Sequence, residues 1–127
     1  MMQANDVLAR WMHAVNAGDV ATLVGLYDPQ AVLIPTFSNR LLNTPDKLRD
    51  YFEKLASRQG LCIELHDTTL LVQNLGGTVH ALSGLYNWRF VVEGAMLNFE
   101  ARFSYVVDVA RARPILHHHS SQIPRML

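Results

Sequence analysis

Cysteine is almost missing from this 127-residue chain: Cys62 stands alone, so no disulfide can close within it. A reducing cytoplasm is the expected setting. Net charge is missing too. The 11 basic and 11 acidic side chains cancel, which leaves no electrostatic footprint for nucleic acid or an acidic membrane surface. The densest basic pair, Arg111 and Arg113, is not a patch. No apolar run approaches the roughly 20 residues that cross a bilayer. The opening Met-Met-Gln-Ala-Asn-Asp lacks the basic start and apolar stretch of a secretory leader. Charge of either sign is scarce, at 17% of residues, where about 25% is usual. Half the chain is hydrophobic, which excludes disorder. So much apolar surface with so few charges implies that another subunit covers part of the exterior. The length is that of one domain, residues 1–127.

Helical spacing dominates the first half. Asn5 or Asp6 is placed to cap a helix carrying Val7, Leu8, Trp11, Met12 and Val15 on one stripe. Gly18 suits the left-handed position that ends it. Asp19 can cap a second helix with Val20, Leu23, Val24 and Tyr27, which Asp28-Pro29 should stop. Ala31–Ile34 reads as a short strand ended by Pro35, and residues 36–44 as a loop. Thr44-Pro45-Asp46 is a strong helix start. Leu48, Phe52 and Leu55 then form the buried stripe, and Gly60 closes the helix.

Beyond Gly60 the period changes to two, and strands are expected near 61–74, 78–92, 95–109 and 114–121. Gly76-Gly77 and Glu93-Gly94 are hairpin turns, and Ala110–Arg113 makes the last. Helices followed by an antiparallel meander give an α+β class. One face of the strand near 80 offers Leu82, Tyr86, Trp88 and Phe90. Its other face offers Val79, Ala81, Ser83, Leu85 and Asn87, which is not a water-facing set. The next strand splits more cleanly, with Phe99, Ala101, Phe103, Tyr105 and Val107 set against Asn98, Glu100, Arg102 and Ser104. A sheet with one apolar and one semi-apolar face needs a second cover. A second copy of the chain is the simplest one.

The most distinctive stretch is Ile115-Leu116-His117-His118-His119-Ser120-Ser121-Gln122-Ile123-Pro124. On a strand, His117 and His119 share a face and His118 points the other way. The stretch resembles the last strand of the association domain of calcium/calmodulin-dependent protein kinase II and its stand-alone bacterial relatives. These belong to the NTF2-like, SnoaL-like superfamily, which has a cystatin-like cone. The pattern there is His-x-His-x-Ser-x-x-Pro, matched by His117, His119, Ser121 and Pro124. Ala14-Val15-Asn16-Ala17-Gly18-Asp19, Tyr27-Asp28-Pro29, Tyr51-Phe52-Glu53 with Leu55, and Glu100-Ala101-Arg102 resemble further markers in the same order. Two positions depart. Arg113 stands where a tryptophan is common, and a pocket arginine falls near Gly84. No kinase domain is expected, so no kinase role carries over.

Three chemistries compete for the polar residues. His117 and His119 could share a zinc ion, but the sequence sets no third ligand beside them, and the expectation is no metal and no cofactor. An acid–base pocket would use titratable groups shifted by burial; the available ones are His13, Tyr27, Glu100, Arg102, His117 and His119. The third is small-anion binding. The guanidinium of Arg102 suits a carboxylate, and the resemblance implies a pocket lined with arginine and histidine. The plainer alternative for Glu100 and Arg102 is a structural ion pair.

The expected architecture is therefore three helices packed in the concave side of a strongly curved antiparallel sheet. The expected assembly is a homodimer or larger, formed through the sheet. The favoured function is a self-associating domain that binds a small carboxylate or other polar ligand, with no nucleic-acid or membrane partner. Its rivals are an isomerase, dehydratase or hydrolase of the same superfamily and a purely structural partner for another protein.

Overall fold

The computed structural model describes residues 2–124. Among these, three helices precede and interleave with a six-stranded sheet. Helix α1 spans Ala4–Ala17 and α2 spans Val20–Leu26. Strand β1 covers Tyr27–Ile34 and helix α3 covers Pro45–Ala56. The remaining strands are β2 (Cys62–Leu65), β3 (Leu71–Gly76), β4 (Val79–Val92), β5 (Ala95–Asp108) and β6 (Ile115–Gln122). No described helix is long and apolar enough to cross a membrane.

The helix signals operate at slightly shifted positions. Gln3, not Asn5 or Asp6, is the N-cap of α1; Asp6 sits three residues on and its carboxylate accepts the Gln3 backbone N–H at 3.0 Å. Gly18 ends α1 with φ +65°, a left-handed geometry that favours glycine. Asp19 caps α2 by accepting from the Thr22 backbone N–H, and Thr44 caps α3 by accepting from that of Lys47. The stop after α3 comes at Ala56, ahead of Gly60. Asn16 ties α1 to the sheet: its side chain both accepts from Ile63 N–H (2.7 Å) and donates to Ile63 carbonyl (3.1 Å).

The sheet order is β1-β6-β5-β4-β2, with β3 also paired to β4. It is mixed rather than wholly antiparallel, because β1 runs parallel to β6. Strand β1 also begins at Tyr27, ahead of the expected Ala31. Pro29 fits there because the β1–β6 register is interrupted between Tyr27 and Val32, where no ladder hydrogen bond is asked of it. The single strand expected over 61–74 is two strands broken by a 3₁₀ turn at Asp67–Thr69. Both pair with β4, β2 near Trp88 and β3 near Leu82. The Thr69 hydroxyl holds that corner by donating to His66 carbonyl and accepting from Leu85 N–H.

Alternation along β4 and β5 sorts the two faces. Leu82, Tyr86, Trp88, Phe90, Ala101, Phe103, Tyr105 and Val107 are all buried against the helices. Their neighbours Ala81, Ser83, Leu85, Asn87 and Val106 are half-buried on the outer face. That outer face carries a row Val32–His117–Val106–Ala81 across four strands, read from the pairing register.

Candidate functional site

The interior of the cone is aromatic, and one histidine sits at its centre. His118 is 2% exposed. It stands opposite Tyr105 on the neighbouring strand, the two rings stacked at 3.8 Å between centroids. Its Nδ1 lies 2.7 Å from the Tyr27 phenol oxygen and its Nε2 lies 3.2 Å from that of Tyr86. Trp11 Nε1 donates to the same Tyr27 oxygen at 3.0 Å.

Donor chemistry orients this chain of bonds. An indole N–H can only donate, so the Tyr27 oxygen accepts from Trp11; its own buried hydrogen has His118 Nδ1 as its one described acceptor, and the bond is oriented accordingly. A neutral His118 then carries its hydrogen on Nε2 and donates to Tyr86. The Tyr86 hydroxyl is left to point onward, among the hydroxyls of Ser120 and Thr36. Those two hydroxyls also bond each other.

The chain ends at a small chamber of about 10 Å³, bounded by Trp11, Thr36, Tyr51, Phe52, Tyr86, Trp88, His118 and Ser120 among others. That is room for about one water molecule. Trp88 Nε1 is buried there with no hydrogen-bond partner among the described residues. An unmet buried donor is costly, and this one belongs to a residue of the chamber wall. Tyr105 Oη is the other buried polar atom without a described partner.

Every titratable group in this cluster is held neutral. Burial pushes the phenols of Tyr27, Tyr86 and Tyr105 upward, and Tyr51 likewise. Burial, helped by the neighbouring His117 and His119, lowers His118 well below the usual histidine value. No carboxylate, lysine or arginine lines the chamber. No group of three His, Cys, Asp or Glu side chains converges as a metal site would require, among the described residues.

Of the residues singled out from the sequence, the structure brings only Tyr27 into this cluster. Arg102 and Glu100 are exposed on the outer face, with His119 exposed and His117 half-buried beside them. Glu100 faces His66 at 3.7 Å, and no Glu100–Arg102 ion pair forms. His13 is on the exposed side of α1. His118 was missed because its strand has no clean alternation. A bulge between Val106 and Val107 lets both Ile115 and His118, three apart, face the core. The signal that finds it is the register: the apolar side of β5 carries Tyr105, and whatever stands opposite Tyr105 must point inward.

The two departures have physical reasons. A Cβ on Gly84 would lie 2.9 Å from the Phe103 ring and 3.2 Å from Thr69 Oγ1, so Phe103 fills the space a pocket arginine would need. Arg113 donates to Val24 carbonyl at 3.1 Å, pinning the β5–β6 turn to α2. Arg111 beside it bridges Asp28 (2.8 Å) and Asp108 (3.3 Å).

Comparison with known proteins agrees with this architecture. The SnoaL-like domain model matches residues 4–126. The chain belongs to the SnoaL-like family. A Xanthomonas campestris protein assigned as a calcium/calmodulin-dependent protein kinase II association domain superposes with a TM-score of 0.85 at 23% identity, over 96% of this chain and 86% of that one. A Streptomyces avermitilis protein assigned as a dehydratase of the NTF2-like family gives 0.81 at 14%, covering 97% and 95%. A ketosteroid isomerase-like protein from Erwinia carotovora atroseptica gives 0.75 at 11%, covering 95% and 94%. At these identities the likeness is one of fold. No curated protein matches the chain. Within this SnoaL-like domain the chamber occupies the cone's interior, and its lining is the domain's own.

Proposed function

We propose that this SnoaL-like domain is a self-associating module whose chamber binds a small uncharged molecule bearing a carbonyl or hydroxyl oxygen. The observation that supports this most is Trp88, which lines the chamber together with Thr36, Ser120 and Tyr86 and whose buried Nε1 has no hydrogen-bond partner among the described residues. An acceptor oxygen placed there meets the indole N–H and keeps two hydroxyls within reach. Of the ligand classes left open by the sequence, a neutral one fits the chamber. A carboxylate there would be buried with no counter-charge, which is costly. Self-association would cover the outer sheet face, where Val32, Val106 and Ala81 lie half-buried. No kinase activity is part of this reading.

The chamber must open to admit more than water. Phe37, in the segment between β1 and α3, packs edge-on against Trp88 (5.5 Å), Phe90 (5.2 Å) and Phe99 (5.4 Å). Its backbone N–H reaches Tyr51 Oη at 3.4 Å. Phe37 thus backs Trp88 from outside the chamber, and Tyr51 lines the chamber itself.

The test uses intrinsic fluorescence, since Trp11 and Trp88 are the chain's two tryptophans and both border the chamber. Small ketones, amides and alcohols should shift the emission saturably and raise the melting temperature, and Trp88→Phe should weaken both responses. A panel without any saturable response means the chamber holds water alone, against the proposal.

A second reading, an acid–base enzyme, draws on the Tyr86–His118 pair. Tyr86, kept protonated, would hydrogen-bond a developing oxyanion. The chamber offers no carboxylate base, so binding is the better supported of the two. Turnover of a carbonyl substrate that Tyr86→Phe abolishes while binding persists would favour the enzyme.

A further inference from the structure

A second cavity lies outside the chamber, beyond Phe37. It is an open groove of about 1400 Å³ between the segment before α3, α3 itself and the ends of β4 and β5. Its floor is aromatic: Phe90 and Phe99 are stacked, Phe37 meets both edge-on, and Leu41, 62% exposed, lines the same groove. Its rim is cationic. Arg40, Lys47, Lys54 and Arg58 line it against a single carboxylate, Asp50. This is a marked local excess in a chain whose charges cancel overall.

Few of these cations are used by the protein. Lys54 pairs with Asp50 at 3.8 Å, with both side chains largely in water, which stabilises little. The Arg58 guanidinium sits 5.6 Å over the Phe90 ring, a stacking that leaves its N–H groups free to meet an anion. Arg58 thus joins the charged rim to the aromatic floor.

We infer that this groove binds a free amphipathic anion, a monocarboxylate whose apolar chain lies on Phe90 and Phe99 while its headgroup meets Arg58 and Arg40. Charge complementarity selects the sign of the headgroup, and the apolar lining, exposed Leu41 with half-buried Phe37 and Phe99, selects a tail over a fully polar anion. The site is separate from the neutral chamber and stands whether or not that chamber binds a ligand.

Calorimetric titration with sodium decanoate, below its micelle concentration, tests the site against 1-decanol and sodium butyrate. Decanoate should bind saturably and weaken at high salt, and the alcohol and the short acid should each bind about tenfold more weakly or worse. The double variant Arg40→Gln/Arg58→Gln should lose about tenfold in decanoate affinity while decanol is unchanged. Arg49→Gln, an exposed cation of α3 outside the groove, should leave decanoate binding intact. Each variant's melting curve checks that it is folded. Equal binding of decanoate and decanol overturns the assignment, as does an unaffected double variant. So does preferential capture by anionic phospholipid vesicles, which would make the groove a membrane contact. A change in sedimentation on neutralising the rim would make it an interface between copies, which is equally contrary.

Discussion

The Nδ1 atom of His118 lies 2.7 Å from the phenol oxygen of Tyr27, so the first residue of β1 and the middle of β6 meet at one hydrogen bond inside the cone. Trp11 from α1 converges on the same oxygen. Three elements far apart in sequence are fixed by this junction, and its loss should be felt by the whole fold.

Removing the centre of the network tests that statement. His118→Ala deletes a stacked ring and strands two phenols, and should cost about 3–5 kcal/mol in unfolding free energy. Tyr27→Phe removes only the hydroxyl and should cost about 1–3 kcal/mol. His13→Ala, on the exposed side of α1, should change stability by less than about 0.5 kcal/mol. Urea denaturation measures all three.

The pH dependence has a definite sign. Burial lowers His118 in the folded state, so below pH ~6.5 the unfolded chain binds a proton that the folded chain refuses. This contribution to stability is complete above that value and is lost as pH falls, at about 1.4 kcal/mol per pH unit. Asp19, Asp28 and Asp108, lowered by hydrogen bonds, act in the same direction only further into acid. Unfolding free energies between pH ~7 and ~5 should therefore fall steeply in the wild type and more shallowly in His118→Phe.

Trp88→Phe should be close to neutral for stability, within about 1 kcal/mol, because it removes a donor that has no partner. Trp11→Phe loses a real bond to Tyr27 and should cost more, about 1–2 kcal/mol. A reversed order would mean that Trp88 Nε1 is satisfied.

Phe37→Ala removes the ring that packs on the outer side of Trp88. Acrylamide quenching of tryptophan emission should rise in the variant, since Phe37 packs directly on Trp88. Unchanged quenching would show that access runs elsewhere.

The proposed self-association places its contact on the outer sheet face. Val106→Glu, placed mid-row between His117 and Ala81, should leave the helical signal intact and reduce the sedimenting mass to one chain. A wild type that is already monomeric at micromolar concentration would remove the interface.

The caps of α2 and α3, the hairpins at Gly76-Gly77 and Glu93-Gly94 and the faces of β4 and β5 were legible because each is local. Both residues of the Glu93-Gly94 turn have positive φ, +50° and +80°, as such a turn needs. The parallel pairing of β1 with β6 was not legible, because it joins residues some ninety positions apart through a turn signal that points elsewhere. The site was half legible. His117, His118 and His119 separate onto two faces as expected, and the pair singled out for a pocket, His117 and His119, lies on the outer one. One extra residue in β6, at the bulge beside Val107, decided which face was inside.

The claim on which the rest depends is that His118 stays neutral and carries its hydrogen on Nε2, so that the hydrogen bonds run from Trp11 to Tyr86 and into an uncharged chamber. Nitrogen-15 NMR of the His118 ring reads this directly. The expected spectrum is that of a neutral ring protonated at Nε2, unchanged across the folded range from neutral pH down to mild acid. A ring that gains a proton near the ordinary histidine value, or a neutral one with its hydrogen on Nδ1, would contradict the account.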